Sequence, residues 1–290
     1  MRAKRFRWLR IRGALVFTFL GLWTFFSFQL AGFLLHPNNA NPATPAYMQD
    51  ETPLLGGFQN PTWTTPGWQR APVVFVMLHG LGGSRLQWSL AARGLAQKGC
   101  GAVIPAMPGH EDSPFPNCTY GPKELEVTHD LVGYVHQKNP KAKIVLVGVS
   151  LGGQSAWLEA ARNPVISAVV TESTFTSFRE AKADYISRKG SAIFLMPAIK
   201  IVEGRIGSMA LSYNSLAAAQ QYRQSGRPAL VIHAGHDKLF PVRHGERLSQ
   251  AAGCPLWVAP GATHSNCFTT DPDGYISRLT NLASGTLQGH

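Results

Sequence analysis

Ser150 lies in a setting that can turn a hydroxyl group into a nucleophile. The apolar, β-branched run Ile144–Val147 has the length of a buried strand, and Gln154–Arg162 has the pattern of a helix. The segment between them, Gly148–Gly152, has the pattern Gly-x-Ser-x-Gly. A strand that turns into a helix at this motif strains the central serine and exposes its hydroxyl, while the glycines allow close approach of strand and helix. The helix N-terminus also favours negative charge that develops nearby, so the motif predicts a nucleophilic serine.

A carboxylate and an imidazole follow Ser150 in the order that an activated serine requires. Asp237 comes after the predicted strand Ala229–His233, and His264 comes after the predicted strand Pro255–Pro260. An imidazole can remove the proton of a serine hydroxyl, and a carboxylate can orient the imidazole. In open α/β sheets, ligands bind beyond the carboxyl ends of the strands. The three positions therefore predict one site at that edge.

Other polar residues are weaker candidates. Glu172 follows another predicted strand and is the alternative acid should Asp237 not be used. The segment His79–Gly83 allows close backbone approach to a substrate and can present a free N–H group, or it is a glycine-rich turn with no catalytic part. It lacks the Gly-x-Gly-x-x-Gly spacing of a dinucleotide site. His233 and His236 do not predict a metal site, because His233 lies inside an apolar strand and its side chain faces another direction than that of His236.

The elements that must position these residues alternate along the chain. Buried-type strands are predicted over residues 73–78, 102–106, 144–147, 166–171, 229–233 and 255–260. Helices are predicted over residues 84–98, 124–137, 154–162, 242–251 and 274–282. This alternation predicts an α/β fold with a doubly wound, mostly parallel sheet.

Residues 174–227 separate two predicted strands by more than a simple crossover needs. The stretch 191–202 within them is notably apolar. Two interpretations remain open at this point. The insertion forms a small lid over the site, or it is an ordinary crossover whose extra helices pack on the sheet.

The N-terminal segment has the features of a membrane-targeting sequence. Residues 1–13 carry six basic side chains and no acidic one, and residues 14–35 carry no charge. Such a stretch can cross a bilayer as a helix, whereas the apolar core of a cleavable signal usually spans about 7–15 residues. A transmembrane signal anchor is the favoured interpretation, with a cleaved signal or a buried core helix as alternatives. The flanking basic residues predict a cytoplasmic N-terminus and residues 36–290 outside, in the periplasm of a bacterium.

The remaining sequence divides into two parts. Residues 36–70 are rich in Pro, Asn, Thr and Gly, which predicts a linker that leads away from the membrane. Residues 71–285 then form the predicted catalytic domain. The net charge of the chain is +11, but six of the positive charges lie in residues 1–13, and no basic cluster interleaved with aromatic residues follows. This distribution argues against nucleic acid as a partner.

Four cysteines are spread widely through the chain, at positions Cys100, Cys118, Cys254 and Cys267. Their spacing does not fit a zinc site. In an oxidising compartment one or two disulfides are expected, and three full pairings are possible.

Taken together, the motifs resemble the α/β-hydrolase superfamily over about residues 71–285. They occur in the order of that superfamily: His79–Gly80, Pro108–Pro114, Gly148–Gly152, Gly235–Asp237 and Gly261–His264. The segment Glu172–Ser177 resembles membrane-anchored serine hydrolases with lipid or acyl-thioester substrates, and also serine-aminopeptidase-type relatives.

The resemblance implies a role for each residue at the site. Ser150 is the nucleophile, His264 the general base and then the general acid, and Asp237 the carboxylate that orients His264. The backbone N–H groups of Leu81 and Leu151 form the oxyanion hole. No metal and no organic cofactor is needed.

Two features depart from the pattern of the superfamily. The pair of antiparallel strands that usually precedes the first core strand is not evident in residues 40–70, which predicts a trimmed sheet. Glu111 also stands where a glycine is common.

The first hypothesis is a membrane-tethered serine hydrolase that cleaves an ester or thioester of an acyl or lipid-type substrate. A serine peptidase of the same fold and a non-catalytic binding protein are the alternatives. The acyl length and the leaving group depend on the shape of the pocket.

Overall fold

The computed structural model describes residues 2–37, 40–188 and 192–286. Residues 38–39 of the predicted linker and residues 189–191 of the predicted insertion lie outside this range. The strands are β1 (Gln49–Glu51), β2 (Leu54–Leu55), β3 (Phe58–Gln59), β4 (Thr62–Thr64), β5 (Val73–Leu78), β6 (Gly101–Pro105), β7 (Lys143–Val149), β8 (Ile166–Glu172), β9 (Ala229–Ala234) and β10 (Leu256–Ala259). The α-helices are α1 (Arg2–Leu35), α2 (Leu86–Gln97), α3 (Pro122–Lys138), α4 (Leu151–Arg162), α5 (Phe178–Arg188), α6 (Ala192–Ser212), α7 (Ser215–Arg223), α8 (Arg243–Ala252), α9 (Cys267–Thr270) and α10 (Pro272–Ser284).

Eight of the described strands form one sheet in the order β1-β4-β6-β5-β7-β8-β9-β10. The six neighbouring strands β6, β5, β7, β8, β9 and β10 are all parallel. Strand β4 pairs antiparallel with both β1 and β6. The carboxyl ends of the parallel strands therefore meet at one edge, as the alternating sequence pattern predicts. The α/β-hydrolase fold expected from the motifs is confirmed.

Residues 49–64 correct two expectations. They were expected to belong to a linker and to leave the sheet trimmed, but β1 and β4 supply the antiparallel strands. The side chains of Trp63 and Trp68 are fully buried, which fixes this segment to the domain. Strands of two or three residues are too short to display an alternating pattern, so hydrophobic periodicity does not predict them.

Helices cover both faces of the sheet. On one face, buried side chains of α2 and α10 pack on the strands; they include Trp88, Leu95, Tyr275 and Leu279. On the other face, α3, α4, α7 and α8 contribute buried side chains that include Leu131, Trp157, Tyr222 and Leu248. These two apolar layers hold the parallel strands, and with them the edge at which the candidate residues lie, in a fixed register.

The insertion between β8 and β9 has two parts. Helix α7 packs on the sheet beside α4, where the rings of Trp157 and Tyr222 contact each other with centroids 5.8 Å apart. Helices α5 and α6 instead belong to a third apolar cluster that includes Phe175 and Phe240. Helix α7 thus fits the crossover interpretation, while α5 and α6 pack apart from that layer.

Helix α1 is long and apolar, and the stretch Arg10–Leu35 is long enough to cross a membrane. Most of its large apolar side chains are exposed, unlike those of a core helix. Among the described side chains of α1, the buried ones lie in the C-terminal third of the helix, at Ser27, Ala31 and Leu35. By length and composition this helix fits either a membrane anchor or a signal sequence.

All four cysteine thiols are free in this structure. The expected disulfides are therefore not formed. The cysteines are distributed over all three apolar clusters, with Cys118 in the third cluster, Cys254 beside the second and Cys100 and Cys267 in or beside the first.

Candidate active site

Ser150 occupies the tight turn between β7 and α4. Its backbone has φ 53° and ψ −115°, a left-handed conformation that is strained for a residue with a side chain. A Cβ atom on Gly148 would lie 2.2 Å from the oxygen of Gly152, and one on Gly152 would lie 2.4 Å from the oxygen of Leu78. The glycines are therefore required by the close approach of strand and helix, as the motif predicts.

Asp237 and His264 lie side by side beyond the ends of β9 and β10. The Nδ1 atom of His264 is 2.8 Å from Oδ2 of Asp237. The other carboxylate oxygen of Asp237 accepts the backbone N–H groups of Leu239 and Phe240, both at 2.8 Å. These bonds fix the carboxylate, and the carboxylate fixes the imidazole through Nδ1. The Nε2 atom of His264 is therefore left to bond another partner.

The Asp237 carboxylate is set up to remain ionised. Burial by itself would raise its pKa, but the hydrogen bond and charge of His264 and the N–H groups of Phe240 and Leu239 outweigh that effect and hold the pKa below its usual value. An imidazole that acts as a general base becomes positively charged when it accepts a proton. An ionised carboxylate at this distance favours that charged form.

Ser150 and His264 line the same apolar cavity, which has a volume of about 180 Å³. No hydrogen bond joins the Ser150 hydroxyl to His264 in the part of the chain that the structure describes. Catalytic hydrogen bonds of this kind are often long in the absence of substrate. Ser150 itself is only 6 % exposed, so its hydroxyl faces the cavity and not open solvent. The cavity is lined by Leu34, Leu81, Tyr120, Ser150, Leu151, Phe175, Phe178, Ala181, Lys182, Tyr185, Ile199, Val202, Glu203, Leu239, Phe240 and His264.

Leu81 and Leu151, the expected sources of the oxyanion hole, also line this cavity. The N–H group of Gly80 donates to Oε1 of Gln87 at 3.2 Å, and that of Gly82 donates to Nε2 of His110 at 3.0 Å. Among the described residues, no protein acceptor takes the N–H group of Leu81 or of Leu151. Both groups are thus available to a developing oxyanion.

Glu172, the alternative acid, is fully engaged elsewhere. Its carboxylate accepts the backbone N–H of Cys267 at 3.0 Å and the hydroxyl of Tyr275 at 2.9 Å. Burial raises its pKa, although these two hydrogen bonds and the nearby His264 act in the opposite direction. Its contacts tie β8 to the loop that carries His264, which is a structural role.

Sequence reasoning found no role for Glu111 and did not single out Arg85. Glu111 has φ 49°, which accounts for the glycine that is common at this position. Its carboxylate accepts the backbone N–H and the Nε of Arg85, at 3.1 and 3.2 Å. Since Arg85 is 2 % exposed, this is a buried ion pair beneath the loop that carries Leu81. An acidic residue at a position where the superfamily motif commonly has glycine was the signal that could have drawn attention to it.

His233 is buried in β9, and its Nε2 lies 3.1 Å from the backbone oxygen of Phe240. Burial lowers its pKa, which keeps the ring neutral. Within the described ranges, no group of three His, Cys, Asp or Glu side chains is placed to hold a metal ion.

A nucleophile elbow at the edge of this sheet, with a histidine and a carboxylate beside it, defines a class of protein. The chain matches the model of the family described as "Alpha/beta hydrolase family" over residues 73–278, and it belongs to that family. Comparison with curated proteins found no match.

Several solved structures have a similar fold. The esterase Pf2001 of Pyrococcus furiosus is 17% identical, with a TM-score of 0.68 over 86% of this chain and 98% of its own. The alpha/beta hydrolase GrgF of Penicillium sp. sh18 is 18% identical, with a TM-score of 0.63 over 84% and 99%. Est1E of Butyrivibrio proteoclasticus is 17% identical, with a TM-score of 0.62 over 83% and 100%. The chain is thus a hydrolase of this fold, similar in structure to esterases.

Proposed function

We propose that this protein is a serine hydrolase that cleaves a carboxylic ester or thioester with an acyl group of lipid type. The observation that carries the proposal is the cavity that Ser150 and His264 share, with Asp237 hydrogen-bonded to the far side of the imidazole. Esterases among the structural relatives support the same chemistry.

The reaction follows from the positions of these three side chains. The Ser150 hydroxyl oxygen attacks the acyl carbon while Nε2 of His264 takes its proton. The oxygen of the tetrahedral intermediate is stabilised by the N–H groups of Leu81 and Leu151, each worth about 2.7–4 kcal/mol of transition-state stabilisation. The bond to the leaving group then breaks, and His264 returns the proton to the leaving oxygen or sulfur.

Water completes the cycle. His264 removes a proton from water, the hydroxide oxygen bonds to the acyl carbon, and the bond to Ser150 breaks. The proton returns to the serine oxygen and the carboxylic acid is released. No oxidant, reductant or cofactor enters these steps.

The lining of the cavity favours an acyl ester over a peptide substrate. The carboxylate of Glu203, which lines the cavity, lies 2.5 Å from Nζ of Lys182 and 2.8 Å from Nζ of Lys200. The hydrogen bonds from these two lysines hold the pKa of Glu203 below its usual value, so that its charge is already compensated. A serine aminopeptidase would need a free carboxylate to bind the substrate's amine. The apolar side chains that line most of the cavity suit an acyl chain instead.

Helix α1 completes the proposal as an uncleaved signal anchor. The basic residues that precede it favour a cytoplasmic N-terminus and a catalytic domain on the outer side, which is the periplasm in a bacterium. Intact-mass measurement of the protein in the membrane fraction tests this part. A chain that begins after residue 35 would show a cleaved signal.

Labelling with a fluorophosphonate probe tests the enzyme. We expect the full chain in detergent to be labelled, and Ser150→Ala and His264→Ala to abolish labelling. Ser155→Ala is the matched control, because Ser155 lies one helical turn further along α4 and outside the cavity. Absence of labelling in folded wild-type protein would favour the alternative, a non-catalytic binding protein that has kept the fold.

A further inference from the structure

The C-terminal end of α1 is built into the wall of the cavity. The side chain of Leu34 lines the same space as Ser150 and His264. The backbone oxygen of Leu34 accepts the Tyr120 hydroxyl at 2.7 Å, and that of Leu35 accepts the N–H of Cys118 at 2.8 Å. The helix proposed to anchor the protein therefore contributes directly to the proposed active site.

Helix α6 runs beside α1 toward the same cavity. Its residue Phe194 contacts the rings of Phe19 and Trp23, with centroid distances of 6.4 and 6.5 Å. Further along the same helix, Ile199 lines the cavity near Leu34. Trp23 precedes Leu34 by eleven residues, which corresponds to about 16 Å along an α-helix. The ring of Phe194 thus lies beside α1 at the level of Trp23, about 16 Å along α1 from Leu34, on the side from which α1 comes.

We use the word lid for helices α5 and α6 together. Helix α5 attaches this lid to the catalytic domain. Asp184 lies 2.7 Å from His244 of α8, and its carboxylate also pairs with Arg243. Glu180 pairs with Arg247. The lid therefore has two attachments. Ion pairs join α5 to α8, and apolar contacts join α6 to α1.

The position of Phe194 along α1 indicates its depth in the bilayer if α1 crosses a membrane. The hydrocarbon core of a bilayer is about 30 Å thick, so with Leu35 at its edge Trp23 and the adjoining ring of Phe194 would lie about halfway through it. Phe194 is suited to that environment, being apolar and 53 % exposed, and the neighbouring exposed side chains of α1 are apolar as well.

The size of the cavity indicates how much of a substrate it encloses. An apolar cavity of about 150 Å³ holds one benzene molecule, so the 180 Å³ seen here would enclose roughly seven carbon atoms by proportion. A longer acyl chain must extend past the wall. Because that wall includes Leu34 of α1 and Ile199 of α6, the chain can leave between two helices that lead into the apolar part of the bilayer.

We infer that the N-terminal half of α6 is embedded in the membrane leaflet that adjoins the catalytic domain, and that the cavity takes the acyl chain of a membrane-resident ester directly from that leaflet. Leu34 is then a specificity-determining residue as well as part of the anchor. This inference rests on the proposed function, from which it takes the reaction at Ser150.

Two alkyl fluorophosphonates, one with a methyl and one with a hexadecyl chain, test the path of the acyl chain. The full chain is reconstituted in phosphatidylcholine nanodiscs, and the ratio of the two labelling rates is measured. We expect Leu34→Trp to lower the ratio of long-chain to short-chain labelling by about tenfold or more, because bulk in an apolar pocket discriminates at least that strongly. Phe33→Trp is the matched control, since Phe33 is 57 % exposed and does not line the cavity, and it should keep the wild-type ratio.

Photocrosslinking tests the depth of α6. Benzoylphenylalanine replaces Phe194 in one protein and Arg205, an exposed residue of the same helix, in another. After illumination in nanodiscs, mass spectrometry should find phospholipid attached at position 194 and not at position 205.

The possible outcomes separate the inference from the proposed function. Failure of the short-chain probe to label wild-type protein would contradict the proposed function itself. Labelling by the short-chain probe with an unchanged ratio in Leu34→Trp would overturn the inference alone, and so would the absence of lipid crosslinks at position 194. Short-chain labelling of Leu34→Trp also reports whether that variant has folded.

Discussion

The N–H group of Gly82 donates to Nε2 of His110 at 3.0 Å, and this bond connects the loop that carries Leu81 to the loop that follows β6. Nδ1 of the same ring lies 2.9 Å from the backbone oxygen of Pro108, so the neutral ring with its proton on Nδ1 satisfies both contacts. With the N–H of Gly80 taken by Gln87, the two neighbours of Leu81 are fixed. The direction of the Leu81 N–H is therefore set by residues that do not touch the substrate.

Replacing His110 with phenylalanine should lower kcat and leave KM nearly unchanged. The ring of Phe fills the space beside His79, whose ring centroid lies 4.8 Å away, but offers no acceptor to Gly82. Movement of the loop by about 1 Å would cost roughly 10²-fold in rate. Steady-state kinetics with a short-chain ester measures the effect. His136→Phe, at an exposed position of α3, is the control, and an equal loss in both variants would contradict the positioning role.

His79 and His110 also predict how stability depends on pH. Burial lowers the pKa of both rings, that of His79 well below its usual value, and His110 lowers it further. In the unfolded chain the pKa of both rings is about 6.5. Their neutral forms are favoured by folding, so their contribution is complete above about pH 6.5 and is lost as the pH falls toward the folded pKa values. The melting temperature should decrease over that range.

A double comparison isolates His110 from the other titrating groups. Glu111, whose carboxylate lies 3.7 Å from Nε2 of His79, has its pKa raised by burial and therefore acts in the opposite sense on acidification. The difference in melting temperature between wild type and His110→Phe should shrink as the pH falls below about 6.5. A constant difference across the range would show that His110 does not titrate with folding.

The sequence predicted the elements that carry Ser150, Asp237 and His264 because each lies at the end of an apolar strand that is long enough to recognise. Their catalytic roles remain predictions, whereas the cavity shared by Ser150 and His264 and the hydrogen bond between His264 and Asp237 are properties of the structure. The strands in residues 49–64 were not predicted, since strands of two or three residues have no measurable period.

The packing of α6 on α1 could not have been predicted either. Both helices are apolar, and the hydrogen bond from Trp23 to Phe194 joins residues 171 positions apart. Periodicity describes one helix at a time and does not say which other helix it contacts. The role of Glu111 was missed for a similar reason, because Arg85 is distant in sequence and a positive φ is a property of the folded loop.

Replacing Glu111 with glycine should destabilise the protein although it relieves a strained backbone. The left-handed conformation at φ 49° costs about 1–3 kcal/mol for a residue with a side chain. Removing one partner of a buried ion pair costs about 3–5 kcal/mol, and Arg85 would keep Asp112 at 2.7 Å as a partner. We expect a net loss of about 2 kcal/mol, from the difference of these two ranges.

Denaturant unfolding in detergent, followed by fluorescence, measures this loss for Glu111→Gly. Glu111→Asn is the companion variant, since asparagine tolerates the left-handed region but has no charge. Both variants should be less stable than wild type. If Glu111→Gly proves more stable, backbone strain outweighs the ion pair and the structural role assigned to Glu111 is wrong.

Asp237 and Glu172 offer the clearest test of which carboxylate serves His264 in the proposed reaction. Asp237→Asn keeps the size of the side chain but presents the wrong group to Nδ1 of His264, and loss of this acid in a serine triad lowers kcat by about 10⁴-fold. Glu172→Gln instead disturbs the hydrogen bonds from Cys267 and Tyr275, which should lower stability by about 1–3 kcal/mol while most of kcat remains. Kinetics and thermal unfolding of both variants separate the two roles. A large loss of kcat in folded Glu172→Gln, with Asp237→Asn still active, would reverse the assignment and make Glu172 the acid.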